Sequence, residues 1–157
     1  MRCAAMPPGL PPSRAADEEQ IVQRLLSLAT AYGAFDANAV RDAYAPEADL
    51  IDADGTALHG RDAIVEHVRQ LFEKRQLAVG ALVGVPTLWL RWLGDDTVIA
   101  TTYHERRRQR IDGRTLRTRR THSLKVLWRG EHNSWLIVSD IYADARDQDV
   151  RPTEPTT

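Results

Sequence analysis

From about Val83 onward the chain alternates at strand period. "VPTLWLRWL", "TVIATTYHERRRQRI", "RTLRTRRTHSLKVLWR" and "SWLIVSDIYADA" follow one another, parted by the turn signals Gly-Asp-Asp, Asp-Gly and Gly-Glu-His-Asn. Strand segments with joints this short pair as an antiparallel meander, since parallel neighbours need long crossovers. The upstream half has helical period instead. From Asp17, which reads as an N-cap followed by acidic first-turn residues, "DEEQIVQRLLSLATAY" places Ile21, Leu25, Leu28 and Tyr32 on one stripe. "DANAVRDAY" predicts a short second helix with Val40, Ala43 and Tyr44 as its apolar side and Pro46 as its stop. "ADLIDADGTALHG" then reads as a strand, a turn at Asp54-Gly55 and a brief return strand. A third helix, roughly Arg61 to Arg75, buries Ile64, Val68, Leu71 and Phe72 and leaves Glu66, Arg69 and Glu73 to water. Helices first and a meander afterwards make an α+β domain, and a sheet that curls around helices encloses a pocket.

Composition narrows the partners. The chain has 157 residues, enough for one domain with a real core, and its 21 Lys+Arg against 22 Asp+Glu leave a net charge of -1. That balance supplies no general attraction to nucleic acid or to an anionic membrane. Cys3 is the sole cysteine, so one chain can form neither a disulfide nor a cysteine-based metal site, and a reducing cytoplasm fits. Prolines interrupt the start, "MRCAAMPPGLPPSR", and no later run approaches the ~20 apolar residues of a membrane span. A cytoplasmic protein is expected. Residues 1–14 read as a disordered Pro-rich tail, 15–145 as the domain and 146–157 as a second disordered tail. No HExxH or other ligand spacing is present, so no metal or cofactor is expected. His59, His67 and His132 lie beside the third helix, on it and in a turn, and read as solvated.

The Asp112-Gly113 turn sets a register. A two-residue type I′ loop there puts Tyr103 opposite His122, Glu105 opposite Arg120, Thr101 opposite Leu124 and Ile99 opposite Val126. This face is apolar at Ile99, Val126 and Trp128 and turns polar towards Tyr103, His122, Glu105 and Arg120, the profile of a core grading into a pocket. It is therefore taken as the inner face, although a one-residue bulge would exchange the two. Substrate-facing candidates on that assignment are Trp89, Glu105, Arg120, Leu124, Ile137 and Ile141. Glu105 with Arg120 also reads as a rim ion pair, and Tyr103 with His122 as a cross-strand pair only. Arg106, Arg108, Arg117 and Arg119 fall on the opposite face, where their repulsion needs water or an acidic partner. "RRRQRIDGRTLRTRR" has a further reading as a phosphate-binding ribbon, but its aromatics are not interleaved for base stacking, and nucleic acid is not expected as a partner.

The residue least at home in this pattern is Asp52, a carboxylate where a strand should be entering a core. It can cap the Asp54-Gly55 turn or face a pocket. "ATAYGAFDANAVRDAYAPEADLIDADGTALHGRDAI" bears on that choice. With the order of elements, it resembles the SnoaL-like and ketosteroid-isomerase-like group of the nuclear-transport-factor-two-like superfamily, and SgcJ-like natural-product proteins are similar in general character. The match is carried by Tyr32, Asp36, "YAPEA" at 44–48, Asp52 and Gly55 through "HGRDAI", and it covers about residues 17–145. The resemblance implies a curved antiparallel sheet wrapped around three helices as a cone, with the ligand site inside and a homodimer formed through the outer sheet face.

It also implies roles. Asp52 falls where the isomerases hold the base that removes a proton beside a carbonyl, and Tyr32 where they hold the donor to the developing oxyanion. Where they carry a protonated carboxylic acid on a later strand, this chain has His122, a departure that points away from steroid isomerisation itself. Arg110 and Asp112 share the spacing used by related epoxide hydrolases but sit at the hairpin turn. Proton abstraction beside a carbonyl needs a base near an apolar substrate and a donor where charge appears. The expectation is a cofactor-independent isomerase or cyclase of natural-product biosynthesis acting on a hydrophobic, oxygenated small molecule. Asp52 and Tyr32 would lead, and His122 with Tyr103 would be a second proton-handling pair. The superfamily also hosts non-catalytic binding modules and dimer scaffolds, which stay open.

Overall fold

A computed structural model describes residues 2–3, 12–73, 81–111 and 114–145 of the chain. Three helices, α1 (Pro12–Gly33), α2 (Ala37–Arg41) and α3 (Arg61–Glu73), pack on one face of a seven-stranded sheet. The strands are β1 (Arg2–Cys3), β2 (Tyr44–Ile51), β3 (Ala57–His59), β4 (Ala81–Trp92), β5 (Thr97–Ile111), β6 (Arg114–Arg129) and β7 (Trp135–Asp144), in the order β1-β4-β5-β6-β7-β2-β3. The β4 to β7 meander is antiparallel, as the short joints require, while β2 runs parallel to β7 and β1 parallel to β4. Residues 12–14, expected in the tail, are the first turn of α1, and Arg2–Cys3 pairs with Thr87–Leu88. The rest of that tail and the segment from 146 lie outside the described residues, as do Arg75 and the side chains of Arg108 and Arg117. Among the described residues no helix is long and apolar enough to cross a membrane.

The stripe on α1 behaves as its spacing dictates, with Ile21, Leu25 and Leu28 buried against Val40, Ile64, Val68, Val98, Leu127 and Ile137. Asp17 does not cap α1. The helix starts at Pro12, a residue preorganised for a first turn, so Asp17 lies inside it and is buried. Its carboxylate accepts from the Trp135 indole at 3.2 Å and pairs with Arg129, while Glu18 accepts from the Trp92 indole at 3.1 Å. An acidic cluster that mimics a cap is therefore a tertiary clasp between α1 and the sheet. Asp36 does cap α2, accepting from the Asn38 and Ala39 amides at 3.0 Å each. That helix ends at Arg41, so Tyr44, expected on its apolar side, is the first residue of β2 and fully buried.

The β5–β6 register matches the expectation, pairing Tyr103 with His122, Glu105 with Arg120, Thr101 with Leu124 and Ile99 with Val126. Asp112 and Gly113 themselves lie outside the described residues, flanked by the Ile111–Arg114 pair. The face assignment, however, is inverted. Val98, Ala100 and Thr102 on β5 and Thr121, Ser123, Lys125 and Leu127 on β6 are buried beneath the helices. Trp89, Leu124, Trp128 and Ile141 instead stand on the outer face, 47%, 41%, 44% and 41% exposed. In β7 the register slips between Val126–Ser139 and Leu127–Ile137, a one-residue bulge at Val138. Ile137 and Asp140 consequently face inward together while Ile141 faces out.

Replacing Asp17 with Ala leaves the buried Trp135 indole without its acceptor and breaks the ion pair to Arg129. Urea denaturation of that variant should show a loss of about 2 to 3 kcal/mol, against under about 0.5 kcal/mol for Ala at the exposed Glu19.

Candidate functional site

Between the helices and the inner sheet face lies a cavity of about 320 Å³, with apolar walls from Leu25, Leu28, Val68, Leu71, Leu82 and Pro86. Its polar groups fall into three sets. The first starts at the strand–turn junction. The turn belongs to Asp54, whose Oδ1 accepts from the Thr56 amide at 2.9 Å, with Gly55 at a φ of 90° that favours glycine. Asp52 is thereby free to point its carboxylate into the cavity. One oxygen accepts from the Ala53 amide at 2.6 Å, and the other lies 2.8 Å from Nε2 of His67. His67 was expected in water. It sits three residues after Ile64 and four before Leu71, at the edge of the buried stripe of α3, and that spacing is the signal for its inward position.

The second set is phenolic. Tyr32 and Tyr142 line the cavity, and Tyr44 lies behind them. Tyr44 donates to Oδ2 of Asp140 at 2.7 Å, and Lys125 donates to Oδ1 of the same carboxylate at 2.8 Å and to Ser123 Oγ at 3.1 Å. The Lys125 ammonium also lies 4.2 Å from the centre of the Tyr142 ring, and Ser123 Oγ is 2.6 Å from Thr102 Oγ1. Burial foremost, then the Tyr142, Asp140 and Asp52 charges, holds the Tyr32 hydroxyl well above the usual phenol range. Burial and the Asp140 charge do the same to Tyr142. Both therefore stay protonated and able to donate. Tyr32 is set by an edge-on contact with Phe72, centroids 5.8 Å apart.

The third set is cationic. Arg106 and Arg119, expected on the outer face, are direct cross-strand partners on the cavity wall, one row beyond the His104–Thr121 pair. The Arg119 Nε donates to Asp144 at 2.7 Å. Burial foremost, then the Arg106, Arg119 and Lys125 charges, lowers the His104 imidazole to about 4, so it is neutral at ordinary pH.

Of the residues singled out from sequence, Asp52 and Tyr32 come together in this cavity. Ile137 is buried in the core behind it. Tyr103, His122, Trp89, Glu105, Arg120, Leu124 and Ile141 all belong to the outer face and do not line it. Tyr103 and His122 stack there at 4.9 Å, and Arg120 lies 3.6 Å from Glu105, the cross-strand pairing that each could equally have been. Sequence reasoning missed His67, on the edge of the α3 stripe, and His104, Lys125, Asp140 and Tyr142, whose inward aim follows from the inverted face and the bulge. Among the described residues no three His, Cys, Asp or Glu side chains gather as a metal site.

No family model matches the chain, and no curated protein is similar to it in sequence. Solved structures are similar in fold. A ketosteroid isomerase-like protein from Erwinia carotovora atroseptica superposes with a TM-score of 0.64 at 16% identity, over 87% of this chain and 99% of that one. An NTF2-like protein from Cytophaga hutchinsonii gives 0.64 at 16% identity, over 82% and 98%. A domain with a cystatin-like fold from Nostoc punctiforme gives 0.69 at 20% identity, over 85% and 80%. The fold is thus the one shared by NTF2-like and ketosteroid isomerase-like proteins, as the sequence resemblance implied.

His104 carries a pH consequence. Its folded pKa lies below its unfolded value of 6.5, so the unfolded chain takes up the proton first as pH falls. Stability should be unaffected by this group above about pH 6.5 and should decline from there towards about pH 4. Thermal melts across that window should show the decline, and His104→Gln should flatten it.

Proposed function

We propose that the protein is an acid/base enzyme of the isomerase or cyclase type, acting in natural-product biosynthesis on a hydrophobic substrate that carries a carbonyl. The observation that carries this reading is one apolar cavity shared by the Asp52–His67 pair and two phenols held in the protonated state. Asp52 would remove a proton from the carbon beside the carbonyl. His67 would keep the carboxylate turned into the cavity, since its contact with Oδ2 and the Ala53 amide on Oδ1 together engage both oxygens. Tyr32 and Tyr142 would donate to the oxygen as it becomes negative. Donors aimed in advance at developing charge in a dry site lower the barrier most. The apolar walls would supply binding without competing for the proton.

A homodimer through the outer sheet face belongs to the same proposal. Trp89, Thr101, Leu124, Ile141 and Ile51 are successive cross-strand partners and form an apolar row across that face. Exposed rows of this extent mark association surfaces.

Hydrogen–deuterium exchange of 2-tetralone in D2O, followed by proton NMR, tests the chemistry without knowledge of the natural substrate. The parent should accelerate exchange over buffer. Asp52→Asn should lose about 10²- to 10⁴-fold of that acceleration and His67→Gln roughly tenfold, with ketone affinity kept. Parent protein that binds the ketone without accelerating exchange would instead mark a binding module. Light scattering tests the assembly: Leu124→Asp should convert a dimer to a monomer.

A further inference from the structure

The proposed chemistry explains Asp52, His67 and the phenols but gives no work to the two guanidiniums on the cavity wall. Arg106 and Arg119 lie opposite one another on β5 and β6, both half-buried, both lining the cavity that holds Asp52. They bring cationic groups to a wall whose remaining lining is largely apolar. Asp144 holds the Nε of Arg119 and also accepts from Thr121 at 2.8 Å, so this guanidinium is held in position through its Nε. Its neighbour His104, which also lines the cavity, is kept neutral by burial first and then by the charges of Arg106, Arg119 and Lys125, so it adds no further cation to this wall. The few charged groups on a cavity wall set which polar group of a ligand it accepts, and guanidiniums accept an oxyanion, which they grip through paired hydrogen bonds.

We propose that the ligand is an amphiphilic carboxylic acid, its carboxylate held by Arg106 and Arg119 and its apolar body directed towards Asp52 and the phenols. This rests on the cavity being the substrate site, as proposed above. The two anchors are separated by a definite span. Tyr142, Ser123 and Thr102 form one cross-strand row, and Arg106 lies four residues further along β5, about 13 Å at strand rise. The reacting carbon therefore lies several bonds from the acid group. A monoanion suits the wall better than a phosphate dianion, because the carboxylates of Asp144 and Asp52 stand at its two ends.

Isothermal titration with 6-phenylhexanoate, the alcohol 6-phenylhexanol and 6-phenylhexyl phosphate separates the possibilities. The parent should bind the carboxylate at least tenfold more tightly than the alcohol, and more tightly than the phosphate. Arg106→Gln should weaken the carboxylate about tenfold or more and leave the alcohol unchanged. Equal affinity for acid and alcohol, or a preference for the phosphate, overturns the inference while the cavity remains a ligand site. Failure of all three probes to bind overturns both readings. The comparison of ligands on the parent protein decides the matter even if Arg106→Gln does not fold.

Discussion

Lys125 and Asp140 sit opposite one another in the β6–β7 ladder with almost no contact with water, their side chains 5% and 0% exposed. Burying a single charge costs several kcal/mol, and only a partner at hydrogen-bond distance offsets it. The pair therefore constrains everything around it. A one-residue slip of β7 would turn Asp140 outward and leave Lys125 uncompensated, so the register and the Val138 bulge are tied to this contact. Tyr44 supplies the second bond to Asp140 and so ties β2 to the same point, while the ammonium faces the Tyr142 ring.

From that anchor the cavity acquires its character. A polar cluster satisfied from within forms the floor, and α1 and α3 close an apolar roof. Phenols lodged between the two cannot ionise near neutrality, which keeps them available as donors. Asp52 stands at the end of β2 with both carboxylate oxygens engaged, which fixes the direction of the group. The cations lie at the other end of the same wall. One small domain thus places a carboxylate, two protonated phenols and a pair of guanidiniums along a single hollow.

Much of the scaffold was legible. The helical stripe of Ile21, Leu25 and Leu28, the Asp54-Gly55 turn and the β5–β6 register follow from period and turn chemistry, which act over a few residues. Of the site, Asp52 and Tyr32 were legible through their place in a familiar pattern. The inner sheet face was not. The rule that the more apolar face turns inward fails here because the outer face carries Trp89, Leu124, Trp128 and Ile141, while the inner one carries Thr102, His104, Ser123 and Lys125 around a hollow. Pattern alone cannot tell a face that packs against a core from one held out of it.

Local sequence by itself determined which segments become helix and which strand, how the long hairpin pairs, and that a carboxylate would stand at the end of β2. Tertiary structure alone decided which side of the sheet the helices cover, and with it the inward aim of His104, Arg106, Arg119, Lys125 and Tyr142. The reason is that pairing satisfies backbone hydrogen bonds equally well with either face covered. The choice is made only when the helices land and buried charges find their partners, as Asp17 finds Trp135 and Arg129, and Lys125 finds Asp140.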